Sequence, residues 1–146
     1  MKRGVWFAGC VLLFSLKLAA QQQELLVQAA LWEKQGDWST AAAYYEEYLS
    51  SHSSGETEAC WRYAHCLRQL YEYKQAENMY LRVWRQDSLH YPDALFYLAL
   101  SKKSNADYAA AGKLFARYAR QNDGKALRTL FDRYVHERGF AVVRLY

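Results

Sequence analysis

The sequence predicts an all-α fold: three helix–turn–helix units stacked as an α-solenoid and closed by a C-terminal capping helix. The first ground is repetition. Gly36 to Tyr45 returns as Tyr71 to Tyr80 and again as Ala106 to Phe115. An aromatic (Trp38, Tyr73, Tyr108), an alanine three later (Ala41, Ala76, Ala111) and a second aromatic (Tyr45, Tyr80, Phe115) thus recur every 35 residues. A fixed period of this size marks stacked units that bury a face only against their neighbours. The second ground is patterning: between the copies, apolar residues follow helical spacing and not the alternation of strands. The third is composition, since 52% hydrophobic residues with one proline describe a folded helical chain.

The chain opens with a basic Met1-Lys2-Arg3, an apolar run from Val5 to Leu16 and a small-residue end at Leu18-Ala19-Ala20. Residues 1–20 therefore read as an export signal cut after Ala20, placing the protein in the periplasm or at the outer membrane. The run is short for a membrane span, and an uncleaved anchor is the minor alternative. Phe7-Ala8-Gly9-Cys10 looks like a lipobox, but most of the apolar run follows Cys10 where a lipoprotein signal needs it to precede. Membrane attachment is expected only through such a lipid or an uncleaved leader.

The repeat domain covers 21–138, with units at about 22–56, 57–91 and 92–126 and a cap helix at 125–138. The first helix, Gln22 to Gln35, turns Leu25, Ala29 and Trp32 inward, and Gly36-Asp37 stops it. Trp38 to Leu49 forms the second, with Ala41, Ala42, Tyr45 and Tyr48 inward, and Ser50 to Gly55 is a connector. Thr57 is placed to cap a helix running to Leu70 that buries Cys60, Tyr63, Ala64 and Leu67. Tyr71-Glu72 stands where the first unit has its glycine turn, and Tyr73 to Arg85 follows. Pro92 suits the first turn of a helix reaching Ser104, because its missing N–H is not needed there. Tyr108 to Arg120 completes the third unit. Lys125 to Glu137, with Leu127, Leu130, Phe131 and Tyr134 apolar, covers the open end. Phe140 to Tyr146 lacks the repeat pattern and reads as a strand, a docked tail or the start of a continuation.

The formal charge of +4 is concentrated in the leader. Without Lys2, Arg3 and Lys17 the body carries 16 basic against 15 acidic residues, which gives no electrostatic case for nucleic acid. No catalytic constellation is visible either. None of His52, His65, His90 and His136 sits four residues from another His or Cys, and no phosphate loop or nucleophile elbow occurs. The expectation is a non-enzyme without metal or cofactor. Cys60 and Cys66 point about 240° apart on one helix and cannot readily bridge each other, so they read as small half-buried thiols.

The repeated pattern resembles the tetratricopeptide repeat, in which an A helix and a B helix make one unit of a right-handed superhelix. The matching positions are the small residues Ala29, Ala64 and Ala99 on the A helices, with the aromatics and alanines above on the B helices. A narrower resemblance lies in Tyr91 to Leu100 and Lys103 to Tyr108. These words look like the N-terminal repeat block of Bacteroidetes cell-envelope proteins that continue into a β-propeller and an OmpA-like domain, some of them gliding or type IX secretion components.

The resemblance implies that partners dock on the concave face lined by A helices. Carried over position by position, that face holds an apolar strip of Leu26, Trp61, Phe96 and Leu100, with His65 beside it and a basic strip of Lys34, Arg68 and Lys103. The expected function is a cell-envelope scaffold holding a protein or peptide there, apolar side chains on Trp61 and Phe96 and carboxylates on Arg68 and Lys103. The alternatives are that these aromatics pack between helices, or that the protein is an assembly component that self-stacks or continues into a longer chain.

Overall fold

The computed structural model describes residues 4–51, 56–122 and 124–137, and the regular structure among them is all helical. The helices are α1 (Gly4–Gln35), α2 (Trp38–Ser50), α3 (Thr57–Gln69), α4 (Tyr73–Asp87), α5 (Ala94–Ser104), α6 (Tyr108–Gln121) and α7 (Gly124–Glu137). Extensive contact runs between successive helices, from α1 on α2 through α5 on α6, while α7 meets α6 over only a short stretch.

The repeat is most visible in the backbone of the three turns. Gly36, Tyr71 and Ala106 adopt left-handed φ values of 80°, 66° and 62°. At each, the amide of the left-handed residue donates three residues back, to the carbonyls of Glu33, Arg68 and Lys103. The next amide donates five back, to Trp32, Leu67 and Lys102, completing the two bonds of a Schellman end. Glycine takes this conformation freely, whereas Tyr71 and Ala106 hold a Cβ there at a cost of roughly 1–2 kcal/mol each. The next residue starts the following helix. Asp37 accepts from the Thr40 amide at 3.0 Å and Asp107 from the Ala110 amide at 3.2 Å. Glu72, one methylene longer, makes no side-chain cap bond.

Element boundaries differ from expectation, most informatively in three places. α1 runs unbroken from Gly4 through Ala20, because Leu18 to Gln23 contains nothing that stops a helix and propagation is cooperative. Among the described residues no helix is long and apolar enough to cross a membrane. Thr57 is the first residue of α3 instead of its cap; Glu56 holds that place, and the Thr57 hydroxyl lies 3.4 Å from Gln86. α5 begins at Ala94, so Pro92 sits in the turn before it. The 139–146 tail, His52 and the Ser53 to Gly55 part of the connector lie outside the described residues.

The small residues form the floor of the core. Ala29, Ala64, Ala99, Ala41 and Ala76 are fully buried and Ala111 nearly so, so helix axes approach where no large side chain intervenes. Tyr45 and Tyr80 fill the flanks and reach back with their hydroxyls. Tyr45 donates to Glu33 at 2.8 Å, and Tyr80 lies 3.0 Å from the His65 ring. The last unit leaves Tyr108 exposed, unlike Trp38 and Tyr73 at the same register. Cys60 and Cys66 are fully buried, not half-buried. Cys60 packs with Val83 and Ala94 while Cys66 joins the main core. Burial pushes the Cys66 thiol up to about 12, which leaves it without thiolate reactivity.

α5 differs from the other first helices of the units. Every residue from Ala94 to Ser101 is buried, leaving no solvent face over that stretch. α7 supplies part of the cover. The Phe131 ring lies 5.2 Å from Phe96 and 5.6 Å from Phe115, and Leu130 joins Leu100 in the same buried cluster.

Candidate functional site

The residues expected to line one face fall into three groups. Lys34 and Lys103 are exposed, Leu26 is half-buried at the edge of the core, and Trp61 and His65 are half-buried within an aromatic cluster. Phe96, Leu100 and Arg68 are buried, and the expectation of a docking surface is corrected for all three. Phe96 touches the rings of Tyr97, Phe115, Tyr118 and Phe131, and Leu100 shares its cluster. The hydrophobic effect fills these apolar positions from the chain's own α7.

Arg68 shows why the expected basic strip is broken. Its guanidinium lies over the Tyr97 ring at 4.9 Å, with one nitrogen 3.4 Å from the Nδ1 of His65. A guanidinium only donates, so Nδ1 accepts and His65 is the neutral tautomer carrying its proton on Nε2. Trp61 lies edge-on to that imidazole at 4.4 Å and Tyr97 at 4.8 Å. Burial first, and then the positive charges of Arg68, Arg133 and Arg62, hold the His65 pKa down to about 3. The influence of Arg133 is informative: it carries the field of α7 as far as α3. His65 and Trp61 therefore tie α3, α4 and α5 together, with geometry suited to packing.

An open concavity lies nearer the N-terminus, between α1 and α3. A cleft of about 260 Å³ has an apolar floor of Leu26, Ala30, Ala59 and the Tyr45 ring, with Glu56, Glu58 and Arg62 on its rim. This is below the ~300–1,000 Å³ of ordinary small-molecule sites and nearer the scale of a few side chains from a docked chain. Ala30 is exposed at the register where α5 carries buried Leu100.

Arg62 organises the rim. Its Nε donates to Glu58 at 2.6 Å, one helical turn away, and Nη1 to Glu33 on α1 at 3.2 Å. Glu33 also accepts from Tyr45, and the Tyr91 hydroxyl donates to the other Glu58 oxygen at 2.6 Å. These bonds link α1, α2, α3 and the connector before α5. Burial would raise the Glu58 carboxyl, but the hydrogen bonds from Tyr91 and Arg62 outweigh it and hold it low. The hydrogen bond to Glu58 is the main reason that Arg62 is held above its ordinary range.

A second polar knot lies at the junction of α4 and α5. Buried Glu77 accepts from Asn105 at 2.5 Å and pairs with Lys102 at 2.9 Å. Those interactions overcome the cost of burying the carboxylate and keep its pKa low. The residues expected from the sequence did not include Glu58, Arg62 or Tyr91. The available signal was Glu58 and Arg62 four residues apart on one helix, a spacing more often read as a solvated surface pair.

Among the described residues no group of three His, Cys, Asp or Glu side chains gathers to hold a metal ion. Comparison of the chain with protein-family models gave no match, and comparison with curated proteins gave none either.

Proposed function

We propose that the protein is a non-catalytic interaction scaffold of the tetratricopeptide type, exported to the cell envelope, which holds a segment of a protein partner between α1 and α3. The observation carrying this reading is the cleft itself. Its floor is apolar, its rim is charged, and it lies at the register where the C-terminal unit instead receives its own α7. Packing between successive helices and the three matching turns support the repeat assignment. Export rests on the basic, apolar and small-residue order of residues 1–20.

A photo-crosslinking residue placed at position 30 in the producing cell, compared with one at position 85 on α4, tests the assignment. The expected result is a discrete adduct from position 30 that is absent from position 85. Equal, diffuse labelling at both sites would remove the cleft as the binding surface. N-terminal mass analysis of the same material tests export: a chain starting at Gln21 is expected.

A further inference from the structure

We infer that the segment bound between α1 and α3 is cationic, presenting a lysine or arginine next to an apolar side chain. This rests on the cleft being the binding surface and reverses the preference for acidic partners that a strip of Lys34, Arg68 and Lys103 would give. Arg68 is withdrawn over Tyr97, and the cation remaining at the cleft, Arg62, is already held between the carboxylates of Glu33 and Glu58. Glu56 adds a third carboxylate to the rim. Two carboxylates paired with the guanidinium and a third on the rim leave the site net negative.

An entering carboxylate would have to displace Glu33 or Glu58 from Arg62 and would meet like charge on both sides. An entering ammonium or guanidinium is attracted by the surplus without breaking any existing bond. The floor of Leu26, Ala30 and Ala59 takes the apolar neighbour, so one docked segment satisfies both parts of the cleft.

Fluorescence anisotropy of the full chain with two labelled twelve-residue peptides tests this, one alternating leucine with lysine and the other leucine with glutamate. The lysine peptide is expected to bind, and its binding to weaken about tenfold in the Glu56→Gln, Glu58→Gln double variant and on raising the salt. It is also expected to be lost in Ala30→Trp, which fills the cleft from an exposed position; thermal melts confirm that each variant is folded. Tighter, Ala30→Trp-sensitive binding of the glutamate peptide would overturn the cationic preference while leaving the cleft in place. If neither peptide shows binding that is sensitive to Ala30→Trp, both the cationic preference and the cleft assignment fall.

Discussion

The two ends of the molecule handle the same repeat position differently. On α5 the position holds Phe96, which is fully buried and lies in ring contact with Phe131 of α7. On α1 it holds Leu26, half-buried at the edge of an open cleft. The position four further along repeats the contrast: Leu100 is buried and Ala30 exposed. The register is shared, but what lies over it is not. A repeat assigns the same place in the local geometry to equivalent residues, while long-range packing determines whether that place is a core or a surface. The proposed binding surface therefore lies where the chain does not cover its own pattern.

The largest expected effect tests that contrast directly. Phe96→Ala should cost about 3–5 kcal/mol, as loss of a buried aromatic does, whereas Leu26→Ala should cost about 1 kcal/mol and keep the fold. Urea unfolding of the two variants decides this, and comparable losses would mean that the two positions are not different environments. Next comes the charge pair. Arg68→Glu should destabilise by about 3 kcal/mol or more through a misplaced buried charge, and Lys103→Glu, at the same register but exposed, should stay within about 0.5 kcal/mol.

The third prediction concerns pH. The folded pKa of His65, about 3, lies below its unfolded value near 6.5. The unfolded chain therefore binds the proton first as pH falls. The contribution of His65 is fully present above pH 6.5, declines below it, and is lost as pH falls through 3. Between pH 6.5 and 5 the wild type should lose about 1–2 kcal/mol, and His65→Gln should flatten that slope; an unchanged slope would place the titration elsewhere. The smallest effects concern the turns of the second and third units. Tyr71→Gly and Ala106→Gly each relieve a left-handed Cβ and should stabilise by about 0.5–1 kcal/mol after the entropy of glycine is counted. Unequal gains would show that the units differ in their turns as well as in their cover.

Much of the architecture was legible because it is local. Gly36 announces its left-handed turn, and the 35-residue period carries the expectation to Tyr71 and Ala106, where the residue types alone would not have suggested it. The alanines at 29, 64 and 99 were readable as close approaches for the same reason. The candidate site was less legible. Arg68 and Lys103 occupy equivalent places in the sequence, yet one covers Tyr97 and the other faces solvent. Glu33 and Arg62 are 29 residues apart, and their pairing depends on how α3 lies beside α1.

The sequence by itself determined the helices, their turns and the small residues at their crossings, because these follow from backbone preference and spacing over a few residues. Only the tertiary structure decided which equivalent positions remain open. That depends on where α7 lies and on how charges from distant helices neutralise one another, and both are properties of contacts across the fold.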